Sequence, residues 1–200
     1  MRQYSGADVS GLTRFSKQKH PLYVGILGLI AIELSVVALL TVSCLYLMLT
    51  APAWPPAGLE PAPLLWPSIN LGLLIASMAA MRVAGNRITA GDRRGLIVGL
   101  LTAVSLHALV LVFRSLEMAA YDFRWDDHVY GSLMWTISGF HFTHVASAIV
   151  GTLVVAILAV KGYFTPERQL GVVVDTLYWN FVSAAWIPFY LALYWGPRLI

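Results

Sequence analysis

The sequence predicts an all-α fold: a polytopic membrane bundle of five transmembrane helices, with the N-terminus in the cytoplasm and the C-terminus outside. Three observations support this prediction, namely the composition, the lengths of the apolar stretches and the one-sided distribution of Lys and Arg. Hydrophobic residues make up 58% of the 200 residues and charged residues only 12%, whereas soluble domains carry about 25% charged residues. This excludes a disordered tail, a nucleic-acid-binding protein and a disulfide-stapled secreted module.

Five apolar stretches are long enough to cross a hydrocarbon core about 30 Å thick, which takes about 20 helical residues. The sequence shows no alternating pattern of a closed barrel, and helices otherwise satisfy their own backbone hydrogen bonds in lipid. We predict a single transmembrane domain over residues 1–200, with a cytoplasmic arm at 1–20 and spans at about 21–50, 66–84, 96–118, 132–160 and 170–195.

Turn-like segments separate these spans at residues 51–56, 85–87, 126–128 and 165–167. The first span is too long for the apolar region of a signal peptide, so we expect it to remain in the mature chain. The single cysteine, Cys44, lies inside this span and is expected to be a buried apolar filler. In the fifth span, Pro188 is expected to bend the helix.

The Lys and Arg residues lie mainly on one side of the predicted bundle. Ten of the thirteen fall in the N-terminal arm, around the second-to-third connection and in the fourth-to-fifth connection: Arg2, Arg14, Lys17, Lys19, Arg82, Arg87, Arg93, Arg94, Lys161 and Arg168. The positive-inside rule places this side in the cytoplasm. Tryptophans near the span ends fit an interfacial aromatic belt: Trp54, Trp66, Trp125 and Trp195.

One acidic residue, Glu33, falls near the middle of the first span. A charge at that depth costs several kcal/mol, so we expect its carboxyl to be protonated or paired. Two interpretations remain open. Glu33 handles protons or regulates a partner subunit, or it is a neutral acid that hydrogen-bonds another helix.

Two histidines, His141 and His144, share one face of the fourth span. With His107 of the third span they suggest metal or haem ligation, because two axial haem ligands normally come from different helices. Against this, no carboxylate or cysteine joins them at a recognisable metal-ligand spacing. We favour a structural role, since small and polar stripes let membrane helices pack closely and hydrogen-bond.

The ends of the third and fifth spans carry further polar residues. Arg114 and Glu117, three residues apart, are expected to form a charged pair at the membrane interface. The fifth span has a polar stripe that includes Asn180 and Ser183. The chain contains no phosphate-binding loop, no Ser-His-Asp set and no Cys-His pair, so no complete catalytic group is recognisable.

Three segments of the chain resemble subunit III of the haem–copper oxidases. Residues 130–145, YGSLMWTISGFHFTHV, closely resemble the family's "YGS…TGFHGLHV" segment. Residues 178–186, YWNFVSAAW, resemble "YWHFVDVVW" of its final helix. Glu33 and Glu117 stand where the family has a membrane-embedded acid and a glutamate that ends a helix, and residues 66–70 resemble a "WP…N" helix start.

The resemblance covers nearly the whole chain after the N-terminal arm and matches the shorter, five-helix bacterial form. The chain departs from the pattern where Asn180 replaces a histidine, Ser183 replaces an aspartate and Phe142-Thr143 replace Gly-Leu. These changes remove ionisable groups at 180 and 183. They call into question any proton or lipid role of those two positions and indicate a divergent branch.

The resemblance implies a non-catalytic subunit of a respiratory terminal oxidase in the bacterial cytoplasmic membrane, beside catalytic subunit I and subunit II. It implies no cofactor in this chain, with haem and copper held by the partner subunits, and support for proton uptake, active-site stability and phospholipid binding. Glu33 would be the proton-linked residue. The residues that would organise helices or bound lipid are Glu117, His141, His144, Trp179 and Asn180.

Three alternatives remain open. Within the same family, the chain could be an accessory subunit of a nitric oxide reductase. From a different class, it could be a small membrane electron carrier whose haem is ligated by His107, His141 and His144. A transporter is the least favoured, because that class uses paired interrupted helices in two matching halves.

Overall fold

The computed structural model describes residues 20–199, so the predicted cytoplasmic arm and its basic residues Arg2, Arg14, Lys17 and Lys19 lie outside the described residues. Between residues 20 and 199 the chain contains helices and no strand. Five long helices follow one another: α1 (Pro21–Thr50), α2 (Leu65–Thr89), α3 (Arg93–Ala119), α4 (Val129–Val160) and α5 (Leu170–Tyr190). A π-helical segment (Leu191–Trp195) and the short α6 (Gly196–Leu199) follow α5.

Each of the five helices is long and apolar enough to cross a membrane. This confirms the predicted fold class of an all-α polytopic membrane bundle. It leaves the direction in which the bundle crosses the membrane as a prediction.

Several helices extend beyond the predicted apolar spans because polar residues also belong to their terminal turns. Helix α3 begins at Arg93, where the carboxylate of Asp92 accepts from the Gly95 amide at 2.8 Å. Helix α4 begins at Val129, where His128 Nδ1 accepts from the Gly131 amide at 2.8 Å. Such caps satisfy amides that have no partner inside the helix.

The predicted break at residues 85–87 lies inside α2, which continues to Thr89. The chain turns instead at Gly91, whose φ of +77° is a left-handed conformation that glycine adopts without steric cost. The Gly91 amide donates to the Ile88 carbonyl at 2.9 Å and closes the helix end.

Pro188 interrupts the fifth transmembrane helix without ending it. Proline has no amide hydrogen and crowds the preceding turn. Three residues later the backbone widens into the π-helical segment Leu191–Trp195, and it returns to α-helix at Gly196. The fifth transmembrane segment therefore runs from Leu170 to Leu199, beyond the predicted end at residue 195. We call this whole segment, from α5 to α6, the fifth rod.

Helices α2, α3, α4 and α5 form a four-helix ring, and α1 packs outside it, mainly against α5. Consecutive helices alternate in direction, so the end of α2 and the start of α5 lie on the same side of the bundle. There the Thr89 hydroxyl donates to the Gln169 side chain. Arg93 at the start of α3 donates to the Ala159 carbonyl at the end of α4. We call this side of the bundle the basic end and the opposite side the acidic end.

Helices α2 and α3 approach most closely at Gly99. A Cβ atom added there would lie 2.7 Å from the Cβ of Ala84 and 3.0 Å from its Cα. The helix backbones can therefore touch only because residue 99 lacks a side chain, the common solution for packing helices in membranes.

We expect Gly99→Ala to lower the free energy of unfolding by about 1–3 kcal/mol, because the added methyl group must push α2 and α3 apart. The matched control is Gly72→Ala in α2, where a Cβ would meet nothing within 4 Å. It should be neutral or slightly stabilising, since alanine favours the helix. Thermal unfolding of the full chain in detergent compares the two, and equal stability of both variants would contradict the prediction.

Candidate functional site

Glu33, the acid predicted at mid-depth, lies where α1 packs against α4 and α5. Its side chain is 16% exposed, and His144 of α4 places Nε2 3.8 Å from Glu33 Oε2. The phenol of Tyr178, on α5, donates to Glu33 Oε1 at 3.3 Å. Three helices thus contribute one polar side chain each to one site, which we call the Glu33 site (Glu33, His144 and Tyr178).

A hydrogen bond within α4 determines which nitrogen of His144 faces Glu33. Nδ1 is 2.7 Å from the Phe140 carbonyl oxygen, and it must donate because a carbonyl oxygen only accepts. Nε2 is therefore the nitrogen that is left without a hydrogen bond, and it is the one directed at Glu33. The pair can hold one proton as carboxylic acid with neutral imidazole, or as carboxylate with imidazolium, at constant net charge.

A small cavity of about 10 Å³ adjoins the Glu33 site, between α1, α4 and α5. Its walls are mostly apolar, and its polar lining comes from Glu33, His141 and His144. Glu33 Oε2 and His141 Nδ1 are buried without a hydrogen-bond partner within residues 20–199. A polar cavity needs about 10–15 Å³ to hold a water molecule. The space between these side chains is therefore at the lower limit of the volume that one water molecule needs.

His141 connects α4 to α5. It is buried, and its Nε2 donates to the Val182 carbonyl at 3.1 Å. Its ring packs beside Trp186, with ring centroids 4.8 Å apart. The shared helix face predicted for His141 and His144 is confirmed, because both line this cavity. Their contacts differ, since His141 bonds to α5 and His144 faces Glu33 on α1.

Trp179 and His107 form a polar layer in the centre of the four-helix ring. Their rings stack 3.7 Å apart, at an angle of 9°. Trp179 Nε1 donates to Ser77 Oγ on α2 at 3.1 Å, and His107 Nε2 is hydrogen-bonded to Ser183 Oγ on α5 at 3.1 Å. All four side chains are buried, so this layer connects α2, α3 and α5.

Near the acidic end, Arg114 and Glu117 form the predicted pair. Arg114 Nη1 donates to Glu117 Oε2 at 2.7 Å, and the Tyr194 hydroxyl donates to Glu117 Oε1. The Arg114 guanidinium also lies 3.7 Å above the Trp186 ring. The pair is also buried within the protein, which its spacing alone did not predict: Arg114 is only 1% exposed, because Trp186 and Tyr194 of the fifth rod cover it.

A tyrosine from the α3–α4 connection completes this cluster. Tyr121 is hydrogen-bonded to Ser138 of α4, with 3.3 Å between the two hydroxyl oxygens. Burial, followed by the nearby Glu117 carboxyl, raises the pKa of Tyr121. The phenol therefore stays neutral and acts only as a hydrogen-bonding group.

The residues predicted as site residues thus separate into different parts of the bundle. His144 contacts Glu33 and His141 lines the same cavity, whereas Trp179 lies in the central layer and Glu117 at the acidic end. Asn180 is half-buried on α5, and its Oδ1 has no hydrogen-bond partner among the described residues.

The contacts of the three histidines bear on metal and haem ligation. In the part of the chain that the structure describes, no three His, Cys, Asp or Glu side chains lie close enough to hold a metal ion together. One face of the His107 ring is covered by Trp179 at 3.7 Å, and His141 Nε2 is bonded to a backbone carbonyl. These histidines are thus arranged as helix contacts.

One acid within a membrane-spanning helix, Asp175, is not among the predicted site residues. It lies on α5, half-buried, and both of its carboxylate oxygens are 3.0 Å from Thr152 Oγ1 on α4. The signal was present, because Asp175 is an ionisable residue inside the predicted fifth span, the same reasoning that identified Glu33.

Comparisons with known proteins match this chain to one family. The family model described as cytochrome c oxidase subunit III matches residues 25–197. The "Cytochrome c oxidase subunit 3" of the horse, Equus caballus, is 31% identical over 143 residues, which cover 71% of this chain and 55% of the horse protein. That of the chicken, Gallus gallus, is 32% identical over 143 residues, with the same coverage.

A fungal relative gives a similar result. The "Cytochrome c oxidase subunit 3" of Mycosarcoma maydis is 32% identical over 146 residues, covering 71% of this chain and 52% of the fungal protein. The chain thus matches just over half the length of these curated relatives.

Proposed function

Because the chain belongs to the cytochrome c oxidase subunit III family, we propose that it is the non-catalytic third subunit of a respiratory haem–copper terminal oxidase. The oxidase reduces oxygen to water in its partner subunits, and this chain supports proton uptake and the stability of their active site. The single observation that supports a proton-linked role most directly is the Glu33 site, where an acid within a membrane-spanning helix faces Nε2 of His144.

The Glu33 site has the properties that a proton-holding group in a membrane requires. An isolated carboxylate would be costly at this depth, but a carboxyl beside an imidazole can keep or pass a proton without adding net charge to the bilayer. The Tyr178 phenol gives Glu33 a second hydrogen-bonding partner from another helix. Glu33 therefore acts as a local proton reservoir where α1 packs against α4 and α5.

The test is Glu33→Gln in the purified oxidase complex. We expect the subunits to remain assembled, because glutamine has nearly the same shape and can still accept from Tyr178. Without an ionisable group, however, the complex should translocate fewer protons per electron or complete several-fold fewer turnovers before it inactivates. Oxygen consumption with simultaneous pH recording measures both quantities.

The matched control is Glu60→Gln, which removes an exposed acid from the α1–α2 connection at the acidic end. It should leave pumping and inactivation unchanged. A Glu33→Gln complex with a normal proton-to-electron ratio and a normal inactivation rate would overturn the role of Glu33.

We propose that this chain carries no cofactor and that haem and copper are bound by catalytic subunit I and subunit II. The engagement of His107 with Trp179 and Ser183, and of His141 with Val182, supports this assignment over a haem-bearing electron carrier. His141, Trp179 and Glu117 would act as helix-organising residues. The apolar outer face of α1 is mostly exposed, as contact with subunit I or phospholipid requires.

For its place in the cell we propose the bacterial cytoplasmic membrane, with the basic end in the cytoplasm. The Lys and Arg of the described chain support this orientation. Arg82, Arg87, Arg93, Arg94, Lys161 and Arg168 lie at the basic end, and only Arg114, Arg124 and Arg198 lie at the acidic end.

A further inference from the structure

Asp175 is a second acid within a membrane-spanning helix, and no role has so far been assigned to it. Its hydrogen-bond partner among residues 20–199 is the Thr152 hydroxyl, which lies 3.0 Å from both carboxylate oxygens. A hydroxyl donates only one proton, so it cannot neutralise a carboxylate. No cation pairs with Asp175 in the described range. An ionisable group at this depth without a counter-charge points to a function in proton handling.

Asp175 lies near the basic end of α5. It follows the first residue of α5 by five positions, which corresponds to about 7.5 Å along the helix axis. Opposite it on α4 is Gly151, which is exposed, and a Cβ atom there would lie 3.8 Å from Asp175 Oδ1. Because residue 151 has no side chain, α4 does not cover this side of the Asp175 carboxyl.

Asp175 also lies on the helix face that leads to the Glu33 site. Tyr178, three residues later on α5, donates to Glu33 and lies beside the Ser147 hydroxyl of α4. On α4, Gly151, Ser147 and His144 follow at spacings of four and three, so they share one stripe. The row from Gly151 to His144 on α4 therefore runs beside the row from Asp175 to Tyr178 on α5.

Asp175 and Tyr178 stand about one helical turn apart on α5, with a rise of about 4.5 Å between their Cα atoms. Water between the two side chains would complete the connection. The hydroxyls of Thr152 and Ser147 on α4 and of Tyr178 on α5 border this path. His144 and Glu33 lie at its far end.

We propose that Asp175 is the proton-collecting group of the Glu33 site, taking protons from water at the basic end and delivering them to Glu33. This inference rests on the proposed proton-linked role of Glu33. In each transfer the Asp175 carboxylic acid loses one proton and the Glu33 carboxylate gains one. The intervening hydroxyls each accept one proton and release another, and water then reprotonates Asp175.

The test measures how fast the Glu33 carboxyl exchanges its proton with solvent. The full chain is placed in lipid nanodiscs and transferred from H2O to D2O while infrared spectra are recorded. The difference between wild type and Glu33→Gln assigns the Glu33 carboxyl band, and all variants are measured at the pD where this band has half its maximal intensity. We expect Asp175→Asn to slow exchange at Glu33 by about ten-fold or more, and Asp175→Glu to restore it.

Two threonine variants provide a matched comparison. Thr152→Val removes the hydroxyl beside Asp175 and should also slow exchange. Thr176→Val removes a hydroxyl of α5 that bonds to the Val172 carbonyl within its own helix, and it should leave the rate unchanged.

An unchanged exchange rate in folded Asp175→Asn would overturn the proposal. If Asp175→Asn does not fold, an unchanged rate in Thr152→Val overturns it instead. The exchange rate does not depend on whether Glu33 influences turnover of the oxidase. A failure of the proposed function, seen as normal pumping in Glu33→Gln, is therefore distinguishable from a failure of the connection between Asp175 and Glu33.

Discussion

Arg114→Met is expected to lower the free energy of unfolding by about 3–5 kcal/mol, because it leaves the buried Glu117 without its cation. Arg114 Nη1 is 2.7 Å from Glu117 Oε2, and the two side chains are only 1% and 8% exposed. The Tyr194 hydroxyl still donates to Glu117, but one neutral donor does not replace a positive charge in an apolar interior. Chemical unfolding of the full chain in detergent measures the change.

The double variant Arg114→Met/Glu117→Leu provides the control. Replacing both members of a buried ion pair by apolar residues of similar size is often neutral or stabilising. We therefore expect the double variant to recover most of the lost stability. A single variant as stable as wild type would contradict the prediction that the buried Glu117 carboxylate depends on Arg114.

Trp179→Ala is expected to cost about 3–5 kcal/mol of unfolding free energy, the range for removing a buried aromatic side chain. Trp179 is fully buried, stacks on His107 at 3.7 Å and donates to Ser77. Its loss would leave a void and would remove the stacking partner of a buried imidazole. The midpoint of thermal unfolding in detergent should fall accordingly.

Two further tryptophan variants test this explanation. Trp179→Phe keeps an aromatic ring but loses the donor to Ser77, so it should cost about 1 kcal/mol for the hydrogen bond, besides any loss in packing. Trp125→Ala removes a ring that is 63% exposed in the α3–α4 connection, and it should change stability by no more than about 0.5 kcal/mol. A Trp179→Ala protein that unfolds like Trp125→Ala would contradict the central layer described above.

Much of the site could be recognised from single residues, but their contacts could not. Glu33 stands out because an acid in a long apolar run is costly wherever the helix packs, and Asp175 is recognisable by the same reasoning. The spacing of His141 and His144 shows that they share a face. It does not show that one of them bonds to Val182 on α5 while the other faces Glu33 on α1.

For the Arg114–Glu117 pair, too, the sequence predicts the contact but not its burial. Its spacing predicts an ion pair in any helix, and the pair forms. Its burial depends on Trp186 and Tyr194, which are about 70 to 80 residues away along the chain and cover the pair only after the fifth rod has packed against α3. Pro188 lies between these two aromatic residues, and Tyr194 itself belongs to the π-helical segment.

The sequence by itself determined the five membrane-spanning helices, the family and the depth of Glu33, because these depend on the order and hydropathy of residues along one chain. Only the tertiary structure decided that Glu33, His144 and Tyr178 meet, and that Asp175 lies on the same face as Tyr178 against Thr152. The physical reason is that hydropathy places a helix in the membrane without specifying its rotation or its neighbours. Close contacts between helices, such as that of Gly99 with Ala84, determine both.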